Sequence, residues 1–403
     1  MKETFSSYQR FVVAILAFLQ FTIVLDFMIL SPLGAILMAE LHITPSQFGR
    51  VVSAYAFSAG ISGILAAGFA DRFDRKRLLL FFYTGFLVGT FLCGVASSYA
   101  FLLGARIVTG LFGGVVGSVS FAIVADLFPL SLRGRVMGLI QTSLATSQVL
   151  GIPVSLFLAN RWGWHSPFLM IVGLCAVAGL VIAVKLEPIT THLAAATKAH
   201  PLAHLVATAT KPRYLAGFVA TMLLATGGFM LMPFGSTFAV QNLGIAFDRL
   251  PVLYMVTGVS AMFAGPMLGR AADVVGKYRV FTVGTLVAIV TVLYFTRLGP
   301  VSLPFLVAVN VLLWAAITAR MVGSFALTSA LPDLPDRGAF MSISSSLQQL
   351  SGGVASWVAG LIVHQATPTS PLENYPTLGV VVAVSMVVTL AVMYRVDRIV
   401  HAA

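Results

Sequence analysis

Three charged side chains interrupt apolar stretches of this sequence, and their types suit proton and anion chemistry away from water. Asp26 stands in VLDFMILSPLG at 24–34 and is the only charged residue over 11–39, while Arg106 and Arg320 lie in other apolar stretches. A carboxylate in such surroundings can bind and release a proton, because its pKa depends on burial and on neighbouring cations. An arginine stays charged and can hold an anionic group in a fixed geometry.

The segments that must position these charges are long and apolar. The chain of 403 residues is 59% hydrophobic and 9% charged, whereas about a quarter of the residues in soluble domains are charged. A membrane-spanning helix needs about 20 apolar residues, and twelve segments have a matching composition. They are residues 11–33, 47–70, 78–96, 100–125, 136–158, 166–184, 213–239, 250–271, 279–297, 302–330, 339–363 and 377–394. We therefore predict an all-α membrane protein with twelve transmembrane helices in a lipid bilayer.

Few residues suit other kinds of chemistry. Cys93 and Cys175 both fall inside predicted spans, so neither a disulfide framework nor a metal site is expected. The seven histidines lie outside the spans, and Asp26 is the only carboxylate clearly within one. An enzyme site would need paired acids, a histidine cluster or a nucleophile with its base. We therefore expect no enzyme activity, no cofactor and no metal.

Basic residues are distributed unevenly along the chain. Of the 24 lysines and arginines, 18 lie at the termini or in the even-numbered loops between predicted spans, four lie in odd-numbered loops, and two lie within spans. Because basic residues favour the cytoplasmic side, both termini are predicted there, in a multi-pass protein of the inner (plasma) membrane. The net charge of +11 reflects this topology, and the absence of a basic soluble region argues against nucleic-acid binding.

The two halves of the sequence repeat one another. Three motifs recur in the same order, with starting positions 202 to 204 residues apart. The pairs are FMILSPLG at 27–34 with FMLMPFG at 229–235, ADRFDRKR at 70–77 with ADVVGKYR at 272–279, and RGRVM at 133–137 with RGAFM at 337–341. A parallel duplication of six spans gives two bundles related by an axis along the membrane normal.

The repeat sets the expected domain boundaries. We expect an N-terminal six-helix bundle at 1–188 and a C-terminal six-helix bundle at 212–403. The segment between them, 189–211, is rich in Ala, Thr and His and is expected to be a cytoplasmic linker with a short helix around 200–209.

The six-plus-six arrangement and its loops resemble the major facilitator superfamily over essentially the whole chain. The family pattern between spans 2 and 3 is Gly, three residues, Asp, Arg, one residue, Gly, Arg, Lys or Arg. In AGFADRFDRKR the matching residues are Asp71, Arg72, Arg75, Lys76 and Arg77, while Ala67 and Asp74 replace the two glycines. The second copy, GRAADVVGKYR, contains both glycines, Gly269 and Gly276, together with Asp273 and Lys277.

The resemblance implies that these loops form a latch between the two halves. In the family, the aspartate at the position of Asp71 engages the start of span 11 when the cytoplasmic side is closed, and here that span follows Arg337. By the repeat, Asp273 would face the start of span 5, near Arg133 and Arg135. A helix dipole disfavours an anion at a helix C-terminus, so such an aspartate should seek cations and a helix N-terminus.

Two further motifs indicate which branch of the superfamily the chain resembles. LLGARIVTGLFGG in span 4 is similar to the family's Arg-x-x-x-Gly motif, with Arg106 and Gly110 in place, and SQVLGIPVSLFLA in span 5 partly matches the Gly-Pro signature of antiporters. The chain is most similar to the drug and sugar efflux branch of proton antiporters, in which an acidic residue in span 1 is common. The implied function is proton-coupled efflux by a monomer, powered by the proton gradient.

The resemblance also implies a central cavity lined by spans 1, 4, 7 and 10. At 1.5 Å per residue, the depths of Asp26 and Arg106 differ by only about 3 Å, so they could meet there as a proton-coupling pair. A structural ion pair that never titrates is the alternative, as is an Arg106 that snorkels to the outer interface. Candidate substrate contacts in the cavity are Gln20, Thr22, Gln141, Gln148, Asn310, Arg320 and Gln348.

The few polar groups in these spans limit the class of substrate. Each polar group of a substrate that leaves water needs a hydrogen-bond partner, and the predicted cavity offers one acid, two arginines and a few amides. An amphipathic or lipophilic small molecule fits that set best. Uptake of a small metabolite or sugar by a proton-coupled symporter stays open as the alternative, because these residues do not determine the direction of transport.

Overall fold

The computed structural model describes residues 5–67, 69–190, 193, 201–333 and 336–401. Twelve long helices, labelled here α1 to α12 in chain order, make up most of it. They are α1 Ser7–Ile29, α2 Pro45–Ala67, α3 Arg75–Gly94, α4 Tyr99–Leu127, α5 Leu132–Trp162, α6 His165–Lys185, α7 Pro212–Asn242, α8 Phe247–Val275, α9 Lys277–Phe295, α10 Leu303–Thr328, α11 Arg337–Ile362 and α12 Tyr375–His401. Between α6 and α7, where the sequence predicts a linker helix, a short helix spans Pro201–Ala209.

Among the described residues, eleven of these helices are both long and apolar enough to cross a membrane. The exception is α11, whose 26 residues are long enough but include the polar stretch SISSSLQQLSGG. Because successive long helices alternate in direction, α1 begins and α12 ends at one face of the molecule, which we call the terminal face. The opposite face is called the far face.

Close helix contacts within each bundle form where glycine removes the side chain. A Cβ atom on Gly110 of α4 would lie 2.4 Å from the carbonyl oxygen of Tyr55 on α2, so α2 and α4 approach backbone to backbone. In the C-terminal bundle, a Cβ on Gly284 of α9 would lie 2.7 Å from the Cβ of Ala319 on α10. Small residues at such crossings let membrane helices pack closely.

The two bundles meet along α2 and α11 over most of the length of both helices. Near the far face, a Cβ on Gly49 would lie 2.7 Å from the carbonyl oxygen of Ser356; nearer the terminal face, one on Gly60 would lie 2.8 Å from Leu350. The facing residue Gly360 packs against the α2 backbone in the same way. We call this contact the α2–α11 seam.

The other contacts between the bundles concentrate toward the far face. Ser236 of α7 donates a 2.7 Å hydrogen bond from Oγ to the carbonyl oxygen of Ser31, just after α1. The rings of Phe27 on α1 and Phe229 on α7 lie 5.6 Å apart. Helix α8 packs on the far-face half of α5, where Gly258 faces the backbone of Gln148. The far face is therefore closed between the bundles.

Toward the terminal face, α5 and α8 make fewer contacts with each other. There Gln141 on α5 and Met267 and Asp273 on α8 are exposed. The two bundles are thus held together at the far face and along the seam, and they separate between the terminal-face halves of α5 and α8.

Helix irregularities shift some of the predicted boundaries. The first predicted span, 11–33, is wrong at its end, because α1 stops at Ile29 and a short helix, Gly34–Glu40, follows the turn that contains Pro32. A π-helical turn at Ser147–Gly151 interrupts α5 just before Pro153. Proline has no N–H for the helical ladder, and sharp irregularities occur at such positions.

Candidate functional site

A buried ion pair lies inside the N-terminal bundle. Arg106 Nη1 on α4 donates to Asp26 Oδ2 on α1 over 2.8 Å, and the two side chains are 1% and 0% exposed. The second carboxylate oxygen, Oδ1, accepts a 3.1 Å hydrogen bond from Thr90 Oγ1 on α3. Both oxygens of the carboxylate are therefore occupied, which is the geometry that a buried charge requires.

An aromatic ring on α2 also contacts Arg106. Its guanidinium carbon lies 4.6 Å from the centre of the Tyr55 ring on α2, a distance suited to a cation–π contact. Its Nη1 also lies 3.5 Å from the backbone oxygen of Asp26. Helices α1 to α4 each contribute one side chain to this cluster. A shift of any of the four helices would therefore change the contacts of the ion pair.

The location of this pair differs from the prediction. Asp26 and Arg106 do meet, but they are enclosed by the N-terminal bundle and do not line a cavity between the bundles. Successive residues of a helix point about 100° apart, so the neighbouring Phe27 faces the other bundle, where it contacts Phe229. Water must reach Asp26 through a rearrangement of the surrounding helices before the carboxylate can exchange a proton.

Thr22 was also predicted in the cavity, and that placement is wrong. It is fully buried, donates from Oγ1 to the carbonyl oxygen of Leu19, and lies 3.1 Å from the hydroxyl of Tyr83 on α3. Thr22 and Asp26 are one helical turn apart on the same face of α1, and that face packs against α3.

Two predicted amides do face the space between the bundles. Gln20 lies two turns from Phe27 on the same face of α1, and its buried Oε1 has no hydrogen-bond partner among the described residues. Gln348 is exposed on α11, one turn from Gly352, which packs against Phe229. Both amides therefore lie on the terminal-face side of the contact between Phe27 and Phe229.

The other amide residues that were predicted to contact substrate lie at the border of the space between the bundles. Gln141 is exposed on α5 and Gln148 is half-buried, with its backbone against Gly258 of α8. Asn310 is half-buried and donates to the carbonyl oxygen of Leu306 within α10. These positions lie on helices that border the space between the bundles, and the described contacts assign them no common partner.

Arg320 is a buried cation in the C-terminal bundle. Its side chain is 3% exposed, and its Nε and Nη2 have no hydrogen-bond partner among the described residues. The guanidinium carbon lies 5.9 Å from the centre of the Phe281 ring on α9. Its Nη1 would lie 3.8 Å from a Cβ atom on Gly227 of α7. No ion pair of Arg320 forms within the part of the chain that the structure describes.

The predicted latch residues are mostly engaged within their own bundle. Arg75 donates from Nε to Asp126 Oδ2 over 3.0 Å, and Lys76 Nζ donates to the carbonyl oxygen of Ala183. Arg133 donates to the carbonyl oxygens of Phe128 and Ala125, at 2.9 and 2.6 Å. These contacts hold the terminal-face loops of the N-terminal bundle in place.

Among the described residues, no hydrogen bond or ion pair joins Asp273 to the start of α5, and Asp273 is exposed where α5 and α8 separate at the terminal face. Asp273, Lys277, Arg337 and Arg72 are all exposed, and the side chain of Asp71 lies outside the described residues. Of the two glycines, Gly276 ends α8 with a φ of 109°, a conformation that other residues rarely adopt. A Cβ atom on Gly269 would meet nothing within 4 Å.

Sequence reasoning missed an ionic cluster at the terminal face, which we call the α11 anchor. Asp336, just before α11, accepts from Lys211 Nζ and, over 2.7 Å, from the hydroxyl of Tyr214 at the start of α7. Asp333 Oδ2 lies 3.1 Å from the same hydroxyl, and His204 Nε2 lies 3.8 Å from Asp336 Oδ1. The only sequence signal was the pair of acids before α11, which resembled an ordinary polar loop.

The hydrogen bond from Lys211 lowers the pKa of the Asp336 carboxyl, and the hydroxyl of Tyr214 acts in the same direction. The pKa of the Lys211 ammonium is raised by the hydrogen bond to Asp336. Both groups are therefore charged near neutral pH, and their contact joins the terminal-face starts of α7 and α11.

Comparisons with known proteins agree with this architecture. The sequence profile described as Major Facilitator Superfamily matches residues 16–233 and 217–401. The MFS-type transporter YceJ of Bacillus subtilis (strain 168) is 26% identical over 380 residues, which cover 92% of this chain and 94% of that protein. Multidrug resistance protein 3 of the same organism is 30% identical over 122 residues, or 30% of this chain and 24% of that protein.

The fold matches solved structures over its whole length. A bacterial homologue of the human lysosomal transporter Spinster, in an inward-facing and unoccupied conformation, aligns with a TM-score of 0.76 and 15% identity over 98% of both chains. The predicted all-α fold of two pseudo-symmetric six-helix bundles is thereby confirmed, as is the expectation of a transporter and not an enzyme. The chain therefore belongs to the major facilitator superfamily.

Proposed function

We propose that this chain is a secondary active transporter that exports amphipathic or lipophilic small molecules in exchange for protons. The observation that carries the proposal is the buried Asp26–Arg106 pair, with Thr90 on the second carboxylate oxygen. Ionisable residues at membrane depth are costly and usually have a transport role. The energy source is the proton gradient, and no cofactor is required.

The arrangement of the bundles supports alternating access. The far face is closed by contacts of α1 with α7 and of α5 with α8, while α5 and α8 separate toward the terminal face. If the basic loops and both termini lie in the cytoplasm of a cell bounded by the plasma membrane, this arrangement is the inward-open state. A substrate then enters from the cytoplasm or from the inner leaflet.

The proton step follows from the environment of Asp26. Protonation of the carboxylate removes its ionic bond with Arg106, whose charge remains stabilised by the Tyr55 ring. The loss of that bond loosens α1 from α4, and deprotonation restores it. A proton taken up on one side and released on the other thus biases the helix arrangement that gives access to each side.

The candidate polar contacts support a substrate with few hydrogen-bonding groups. Gln20 and Gln348 face the space between the bundles, together with aromatic residues such as Phe27 and Phe229. Apolar contacts with a few polar anchors tolerate several related molecules. The local similarity to a multidrug resistance protein supports export of such compounds.

Everted membrane vesicles with an imposed pH gradient test the proposal. We expect lipophilic dyes and drugs to accumulate in a gradient-dependent manner with the wild-type chain. Asp26→Asn should abolish this accumulation, because Asn cannot carry the proton. The variant should still fold and bind substrate, at reduced stability, because Arg106 loses its counter-ion but can still donate a hydrogen bond to the Asn side chain. The matched control is Asp397→Asn, at the terminal-face end of α12, which should transport normally.

Two results would contradict the proposal in different ways. Full gradient-driven accumulation by Asp26→Asn would remove Asp26 from coupling. Accumulation that occurs only in right-side-out vesicles, and with the proton moving in the same direction as the substrate, would establish uptake by symport in place of export.

A further inference from the structure

We propose that Arg320 binds the carboxylate of an anionic amphipathic substrate, at a site between α7 and α10 in the C-terminal bundle. The inference rests on the proposed function, since it names the class of molecule that is transported. Its starting point is a buried cation that the described residues leave without a hydrogen-bond partner on Nε and Nη2. A buried charge without a partner is strongly unfavourable, and an anionic ligand removes that cost.

The two halves of the chain differ at equivalent positions on α1 and α7. At the repeat offset of 202 residues, Asp26 on α1 corresponds to Gly228 on α7. In the N-terminal bundle, Arg106 reaches α1 and binds the carboxylate of Asp26. In the C-terminal bundle, Arg320 reaches α7 beside Gly227. The second bundle therefore lacks the acid, and its buried cation stands at a position of its own, since the repeat offset places Ala308 opposite Arg106.

The position on α7 that lies beside Arg320 is Gly227. A Cβ atom there would lie 3.8 Å from Arg320 Nη1 and 3.9 Å from the Met386 side chain, both ordinary contact distances, so this buried position has room for a small side chain. Arg320 lies near the terminal-face half of α10, eight residues or about 12 Å before the helix ends at Thr328. The site is thus on the side from which the bundles are separated.

The unpartnered atoms of Arg320 suit a carboxylate, which reaches these buried atoms when α7 and α10 move apart. Nε and Nη2 form one edge of the guanidinium, and two parallel hydrogen bonds from that edge match the two oxygens of a carboxylate. The surroundings are otherwise apolar, with Phe281 beside the guanidinium and Met386 near Gly227. A small organic acid with an aryl or alkyl body satisfies both features.

Binding to the purified protein in detergent, without any pH gradient, tests this site. The probes are 2-naphthoate and decanoate, each compared with its neutral amide, and the readouts are the dissociation constant and the ligand-induced rise in Tm. We expect each carboxylate to bind the wild-type chain roughly tenfold or more tightly than its amide, as for a hydrogen bond to a charged group.

Two variants should remove this preference. Arg320→Gln removes the cation, and Gly227→Asp places a carboxylate next to it, at the position whose Cβ would lie 3.8 Å from Nη1. Arg320→Lys should retain part of the preference, because it retains the charge and loses the bidentate edge. Arg297→Gln is the matched control, since Arg297 is exposed and bonds only within α9.

Equal affinity for the carboxylates and amides in the wild-type chain would overturn the proposal. So would an undiminished preference in both Arg320→Gln and Gly227→Asp. If Arg320→Gln fails to fold, Gly227→Asp alone decides. Failure of export is separable from failure of this site: carboxylate-selective binding without gradient-driven transport would leave the site standing and remove the proposed function.

Discussion

At the scale of single residues, the buried charges of the two bundles are in opposite situations. Asp26 and Arg106 neutralise each other, Thr90 donates to the second carboxylate oxygen, and the Tyr55 ring lies beside the guanidinium, while Arg106 Nε has no hydrogen-bond partner among the described residues. Arg320 lies beside the Phe281 ring, and its Nε and Nη2 have no hydrogen-bond partner among the described residues. Removing one member of a buried pair leaves the other without compensation, which costs about 3–5 kcal/mol, whereas removing both costs much less.

A double-mutant cycle on the pair tests its energetic coupling. We expect Arg106→Gln to destabilise the protein by about 3–5 kcal/mol, because it leaves Asp26 buried and unpaired. Adding Asp26→Asn should recover part of that loss. Denaturant titrations in detergent measure each free energy of unfolding, and simple additivity of the two substitutions would show that the pair is not coupled.

The contact between Asp26 and Arg106 could be anticipated by counting residues from the helix ends, but its surroundings could not. Depth along a helix follows from 1.5 Å per residue. Which neighbour covers a side chain depends on the rotation of α1 within its bundle, and the nearly uniform hydrophobicity of α1 does not reveal that rotation. Thr22 was misplaced for this reason, and Thr90 and Tyr55 were not identified.

At the scale of helices, α11 is held at its two ends by different means. Its start is fixed by the α11 anchor, through Asp336 and Lys211. The rest of the helix lies in the α2–α11 seam, where Gly49 and Gly360 allow the two backbones to approach. The first contact depends on charge and therefore on pH, while the second depends on the absence of side chains.

The α11 anchor should make stability depend on pH in a defined direction. Because the pKa of Asp336 is lowered in the fold, its contribution is present above the ordinary aspartate pKa of about 3.9 and is lost as the pH falls through the lower folded value. Lys211, whose pKa is raised, contributes below about 10.4 and loses that contribution as the pH rises through its folded value.

We therefore expect Asp336→Asn to lower the Tm in detergent at pH 7, and expect its difference from the wild-type chain to disappear under strongly acidic conditions. Asp248→Asn, at an exposed position on the far face, is the control and should leave the Tm unchanged at both pH values. A Tm difference that is the same at acidic and neutral pH would exclude an ionic role for Asp336.

The close packing of the α2–α11 seam predicts that a larger side chain there destabilises the protein. Gly360→Leu should lower the Tm by several degrees, because a side chain there meets the backbone of α2 at Pro45 and Gly49 and would force the bundles apart. Gly138→Leu on α5, where a Cβ would meet nothing within 4 Å, should have little effect. Helix propensity favours Leu over Gly at both positions, so equal losses for both variants would show that the seam contact does not determine the result.

The number and order of the helices could be predicted from the hydropathy of the sequence, whereas the irregularities within the helices could not. The π-helical turn at Ser147–Gly151 and the short helix Gly34–Glu40 arise where prolines interrupt the backbone ladder. A sequence shows that a proline weakens the helix, but tertiary packing decides whether the helix kinks, widens or breaks. The α11 anchor joins residues more than a hundred positions apart, a distance that local patterns do not bridge.

At the scale of the whole molecule, the duplicated sequence predicts the two bundles but not their relative tilt. The repeat motifs are the same in every state of a transporter, because alternating access moves the bundles largely as rigid bodies. The closed far face depends on contacts such as Ser236 with Ser31, which would break if that face opened. The predicted latch would form when the terminal-face halves close, and two of its residues, Asp273 and Arg337, are exposed here.

Neutralising the latch should favour the state with separated terminal-face halves. We expect Asp71→Asn to increase labelling of a cysteine placed at Gln141 on α5, with a weaker increase for Asp273→Asn, since the loss of an anion removes the attraction to the opposite bundle. A cysteine at Ser236 on α7, buried at the far face, should become less accessible or stay protected. Unchanged labelling in both variants would count against a latch.

The polar composition of α11 has a consequence for how the protein enters the membrane during synthesis. Insertion of a segment from the translocon depends on its own hydrophobicity, and α11 is the one long helix among the described residues that does not reach the apolar character of a span. Several of its serines and glycines, such as Ser356 and Gly352, contact α2 or α7 in the finished protein. We expect α11 alone to insert poorly and to integrate only after these helices are present, whereas α12 inserts unaided. Glycosylation mapping of truncated nascent chains measures this order, and efficient insertion of isolated α11 would contradict it.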